Sequence, residues 1–164
     1  MAICTSIRAL VVSARSTIAR GVDVVQVHTN FEIGQHIVEF EQVGAGRAEY
    51  GKQVLVRLAA RLTVEFGSGF FLTSLKLMRQ FYVLDATTNR PFSLSWSHYV
   101  FLLGIKKTGE RSFYEIEAIS QSWALRELRR QFQSGLYERL ALSCDQDGIR
   151  QLYKLFIRIY LQGG

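Results

Sequence analysis

Apolar residues return at three- and four-residue steps through most of this chain, and a single proline, Pro91, stands among them. That spacing lines side chains along one face of an α-helix, and so few prolines leave long helices uninterrupted. The pattern is densest from Ser122 to Ser143, SWALRELRRQFQSGLYERLALS, where Trp123, Leu125, Leu128, Phe132, Leu136 and Leu140 form the stripe. Arg126, Arg129 and Arg130 point elsewhere, with Gln133 one turn on, so apolar and cationic groups separate onto different sides. The plainest account of such a segment is a bundle helix with a solvated face.

The same reading gives an all-α, single-domain fold: a long N-terminal helix with a bundle of shorter helices packed on it. Helix one spans about Ile3 to Glu41, continuous or bent near Gly21, and Gly44-Ala45-Gly46 breaks it. Helix two covers about Tyr50 to Phe66, burying Leu55, Leu58, Ala59, Leu62 and Phe66, and Gly67-Ser68-Gly69 ends it. Helix three runs from about Leu72 to Leu84 and buries residues drawn from Leu75, Met78, Phe81 and Tyr82. Thr87 to Pro91 forms a loop, and Ser95 N-caps a short helix through Leu103. A helix over about Glu110 to Ser120 precedes the Ser122–Ser143 helix.

Composition narrows the function classes. Hydrophobic residues make up 48% and charged ones 21%, a globular balance. A net charge of +6 favours an anionic partner. Cys4 and Cys144 are too few and too far apart for a metal site or a disulfide framework, which fits a reduced, cytoplasmic protein. The longest stretch free of charged residues, Pro91 to Ile105, is shorter than the ~20 apolar residues of a membrane span. Residues 1–22 hold no acid but include Arg8, Arg15 and Arg20, a composition similar to a transit peptide. Ile7, Leu10, Val11, Ala14 and Ile18 keep a helical stripe there, so the segment reads as the start of helix one.

Several short blocks carry a family resemblance. They are Ile7-Arg8-Ala9-Leu10, NFEIGQHIVEFE from Asn30 to Glu41, GRAEYGKQVLVRLAARLTVEFGSGF within Ala45 to Phe70, Met78-Arg79-Gln80-Phe81-Tyr82, Leu94-Ser95-Trp96-Ser97-His98 and the Ser122–Ser143 run. In this order and spacing they resemble the N-terminal domain of the YhcG family, bacterial proteins that usually continue into a PD-(D/E)xK nuclease domain. The likeness assigns residues 1–143 to that helical domain and leaves 144–164 as a tail without family resemblance. It implies a DNA-binding, helix-turn-helix-like module.

The nuclease chemistry is not found in this sequence. A PD-(D/E)xK site needs carboxylates for Mg²⁺ and a lysine near the attacking water. Pro91 is followed by Phe92, and none of Lys52, Lys76, Lys106, Lys107 and Lys154 has an acid two residues before it. The expectation is a non-catalytic protein without cofactor or metal. His36 sits at helical spacing from Glu32 and Glu39, which an exposed polar helix face also produces. His98 reads as a core or cap histidine, and nothing marks Cys144 as a nucleophile.

Two segments are suited to nucleic acid. Helix two, the GSG turn and helix three have the proportions of a helix-turn-helix, and helix three presents Thr73, Lys76, Arg79 and Gln80 away from its apolar side. Those types suit phosphate and base-edge contacts. Arg126, Arg129 and Arg130 place three guanidiniums on about 6 Å of helix and require a balancing anion. DNA phosphate, Glu32, Glu39 or Glu41 of helix one, or a second subunit would each serve. The rival to DNA binding is a helical protein-interaction or oligomerisation domain with helix one as its interface, which needs an exposed apolar stripe.

The chain also departs from the family pattern. Ala124 stands where the family usually has Ser, so the capping box with Glu127 is missing. Phe71 stands where a capping Ser is common, and Ser74 where Asn is. The segment after Asp147, GIRQLYKLFIRIYLQGG, alternates like a strand at Leu155, Ile157, Ile159 and Leu161, though a helix is also compatible. With the missing nuclease motif, these departures suggest a truncated or fragmentary relative of reduced activity.

Overall fold

The computed structural model describes residues 23–42, 48–86 and 91–142, and every regular element among them is helical. α1 is helical over 23–42. It is followed by α2 (Ala48–Phe66), a 3-10 turn (Ser68–Phe70), α3 (Leu72–Asp85), α4 (Trp96–Leu103), α5 (Thr108–Ser120), α6 (Leu125–Gln133) and α7 (Leu136–Leu142). The all-α expectation holds, with helix ends within two residues of the expected ones for α3, α4 and α5. The first part of helix one with Gly21, the Gly44-Ala45-Gly46 break, Thr87 to Arg90, both cysteines and the 144–164 tail lie outside the described residues.

α3 is the spine, because its apolar residues serve two cores. Leu75 and Met78 pack with Ile37 of α1 and Leu55 and Ala59 of α2. One turn on, Phe81 enters a larger cluster with Val27, Phe92, Tyr99, Leu102, Phe113, Tyr114 and Leu128. Phe81 is fully buried, and its ring meets Phe31, Phe92, Trp96 and Tyr99 at centroid distances of 5.7, 5.1, 5.4 and 4.9 Å. Tilted and edge-on pairs at such spacings add to the burial of the rings themselves.

α1 crosses α3 at Gly34. A methyl group on Gly34 would strike the backbone carbonyl of Met78, 2.8 Å from its carbon, and lie 3.0 Å from Cβ of Tyr82. Only glycine lets the two helices approach this closely. Gly34 belongs to the NFEIGQHIVEFE block, and this contact gives that part of the block a structural cause.

Two expectations are corrected. Phe66 was expected on the buried stripe of α2, but it is 60% exposed and touches Phe70 instead, at 5.7 Å between centroids. It lies in the last position before Gly67 (φ 91) turns the chain, where the core no longer runs beneath it. The Ser122–Ser143 helix is two helices. Gly135 takes φ 63 and donates its N–H to the Phe132 carbonyl at 3.0 Å, closing α6 as a left-handed residue after a C-cap does. The apolar spacing continues across this break, which hides it, and only Leu128 of the six stripe residues is buried.

Tyr114 holds the three last helices together. Its hydroxyl donates to the Gln131 carbonyl (3.4 Å) and accepts the N–H of Tyr137 (3.2 Å), one of the N–H groups a helix start leaves unpaired. Burial pushes the phenol's pKa up, so it remains protonated and can do both.

His98 is the half-buried histidine expected. Nε2–H donates to the Trp123 carbonyl at 3.1 Å, and Nδ1 accepts from the Ser95 hydroxyl at 2.7 Å. Ser95 is the N-cap residue of α4, yet its side chain serves His98 rather than a helix N–H. Burial lowers the His98 pKa below the usual 6.5, although the Trp123 hydrogen bond and Asp23 oppose this. The unfolded chain thus takes up a proton first as pH falls. Stability is full above about pH 6.5, declines below it and levels off once the folded form is also protonated. The urea midpoint is expected to drop between about pH 7 and pH 5, and His98→Gln to remove that part of the slope. An unchanged slope in His98→Gln would assign the pH dependence to other groups.

Candidate nucleic-acid interface

α2, the 3-10 turn and α3 form the expected hairpin, and α3 presents Thr73, Lys76 and Gln80 on its exposed face, with Val83 following them. The register explains this, because those four recur at three- and four-residue steps opposite the Leu75–Met78–Phe81 side. Gln80 also donates to the Leu103 carbonyl at 3.3 Å, across to the end of α4. Arg79 is placed differently. Its Nε donates to Glu41 of α1 at 2.7 Å, a half-exposed ion pair that fastens α1 to α3.

The three arginines of α6 divide in the same way. Arg130 makes a two-pronged contact with Glu127 on its own helix, at 2.9 and 2.7 Å, and Gln131 adds 2.7 Å. Hydrogen bonds from Arg130 and then Gln131 hold the Glu127 carboxyl below its ordinary pKa. Arg129 lies over the Phe101 ring, 5.9 Å from its centroid, at the edge of cation–π range. Arg126 is exposed and has no acid partner among the described residues. None of the three pairs with Glu32, Glu39 or Glu41, since Glu41 takes Arg79 and Glu39 takes Gln35 at 2.7 Å.

α4 brings the two sets together. Gln80 from α3 and Arg129 from α6 both reach its C-terminal turn, at Leu103 and Phe101. The chain leaves that turn into Lys106 and Lys107, which are exposed. The sequence reading gave these two lysines no binding role; they follow the last turn of α4, which Gln80 and Arg129 both reach. Their adjacency in a charge-poor segment was the one signal available. An apolar groove of ≈ 420 Å³ also opens between α1 and α2, the kind of surface an interaction domain requires.

Among the described residues no group of His, Cys, Asp and Glu could hold a metal ion. His36 lies 4.0 Å from Glu39 on an exposed face. No described helix is long and apolar enough to cross a membrane.

Ala124 is the N-cap of α6, in extended conformation and without a side-chain acceptor for the first N–H groups. Phe71 caps α3 equally poorly. Ala124→Ser is expected to raise stability by roughly 0.5–2 kcal/mol, since Ala124 is exposed and the new hydroxyl can reach a free N–H. A denaturation midpoint that stays put or falls would show that α6 is capped another way.

"Putative nuclease YhcG" of Escherichia coli (strain K12) is 34% identical over 87% of this chain, and the chain spans 47% of that relative's length. No solved structure gives a significant match. The sequence matches the family described as DUF1016 N-terminal domain over residues 6–139. With most of its length inside that match, the chain belongs to the DUF1016 N-terminal domain family.

Proposed function

We propose that this chain is a DNA-binding module without catalysis of its own, carried on the α3–α4–α6 side of the bundle. One observation supports it above the others. Lys76, Arg126 and Arg129 lack acid partners among the described residues, as do the exposed Lys106 and Lys107 that follow α4. Exposed cations left unneutralised in a chain of net charge +6 suit a polyanion. Thr73 and Gln80 add hydrogen-bonding groups beside Lys76, suited to a groove. Arg79 and Arg130 keep a weaker place in the site, since each is already paired. The relative's printed name is that of a nuclease, and in this reading the domain supplies DNA contact to such a protein. A cytoplasmic location belongs to the same proposal.

The test is DNA binding by the purified chain across a range of salt concentrations. Arg126→Gln and Arg129→Gln are expected to weaken binding to all sequences about equally, and each to flatten the plot of log affinity against log salt by roughly 0.9. Lys76→Gln is expected to alter sequence preference, as for a residue on a helix that enters a groove. Arg79→Gln should lower the denaturation midpoint, because it leaves Glu41 without its cation, and the salt slope should hold. With Mg²⁺ added, the same titration should leave the DNA intact. Unchanged slopes in both α6 variants would remove α6 from the interface, and reproducible cleavage by rigorously purified protein would refute the non-catalytic reading.

A further inference from the structure

The groove between α1 and α2 is not used by the DNA-binding reading. Ile37 and Leu55 line its floor, Ile33 and Phe40 rise from α1, and Leu58 and Leu62 from α2. Phe40 is 51% exposed, and farther round α2 Val56 and Val64 are 52% and 90% exposed. A helix with apolar residues on nearly every side is usually covered on more than one of them. Among the described residues of α2, Leu55 and Ala59 are buried, and Leu58 and Leu62 are partly buried against the same core.

The charges beside the groove indicate what covers it. On the α1 side, beyond Ile33 and Phe40, helical register places Glu32 and Glu39 on the exposed face. On the α2 side, beyond Leu58, register places Arg57 and Arg61 there. Acids flank the α1 wall, while the α2 wall carries Arg57 and Arg61, with Glu65 one turn beyond Arg61. A twofold axis running along the groove, in the plane of the interface, sets the acidic wall of one copy against the basic wall of the next, while the apolar strips meet between them. Such self-complementarity is what an isologous dimer requires.

We infer that the α1–α2 groove is the interface for a second copy of this chain, joined about a twofold axis.

The experiment is sedimentation of the full chain over a concentration series, with circular dichroism on every variant to establish that it folds. Wild type is expected to dimerise. Phe40→Glu, at a half-exposed position that should preserve the fold, is expected to weaken dimerisation tenfold or more. Arg61→Glu should weaken it as well, and combining it with Glu39→Arg should restore it, since the two walls exchange charge. The charge-reversal set uses exposed residues only, so it decides the matter even if Phe40→Glu unfolds. A chain that stays monomeric, a larger assembly, a dimer indifferent to these changes or a failed restoration in the double variant each overturns the twofold arrangement.

Discussion

Gly34→Ala is expected to destabilise the domain by about 2–3 kcal/mol, although alanine is the better helix former. In an exposed helix the change would gain roughly 0.5–1 kcal/mol. Here the new methyl group meets the Met78 carbonyl and lies 3.0 Å from Tyr82 Cβ. The first obstacle is backbone, which cannot rotate away as a side chain can. α1 must move off α3, which loosens the packing of Ile37 on Leu75 and Met78. Overpacking in a close-packed core costs about 1–3 kcal/mol and sometimes more, which outweighs the gain in propensity. The measurement is the urea midpoint at constant m-value. A midpoint equal to or above wild type would show that the two helices sit farther apart than this crossing.

Phe81→Ala is expected to cost more, about 3–5 kcal/mol, the range for deleting a buried aromatic ring. Phe81 has no exposed surface and touches four aromatic rings from α1, the segment before α4, and α4 itself. Those rings are held by one another and cannot easily close over the space left behind. The loss is a large share of the 5–15 kcal/mol that stabilises an ordinary domain, so the variant should be partly unfolded near 37 °C. Phe81→Leu keeps most of the volume and should cost appreciably less. Thermal melts of both variants test this, and near-equal melting temperatures for Phe81→Ala and wild type would place Phe81 outside the core.

The family blocks acquire different physical meanings once the chain is folded. In the Met78–Tyr82 block, Met78 and Phe81 are core, Arg79 ties α3 to α1 through Glu41, and Gln80 reaches α4. The Leu94–His98 block holds Leu94 in the core and His98 on the Trp123 carbonyl, so it locks α4 to the approach to α6. These roles leave Lys76 and Arg126 as cations with no structural partner among the described residues, which is why they carry the greatest weight in the proposed interface.

The sequence by itself determined the helical class, most helix positions and the two cationic faces. Helical periodicity is local: Leu75, Met78 and Phe81 share a side whatever surrounds α3, and Lys76 must then turn away. The resemblance to the family pattern pointed to the missing caps at Phe71 and Ala124, and both stand as N-caps without a side-chain acceptor. Tertiary structure alone decided which charges are free. Arg79 and Arg126 look alike in the sequence, yet Glu41, 38 positions away, reaches Arg79 and no acid among the described residues reaches Arg126. It also decided that Gly34 is a helix crossing, that Phe66 is surface, and that the groove between α1 and α2 is open among the described residues. Each of these depends on the distance between residues remote in the chain, which no pattern along one helix contains.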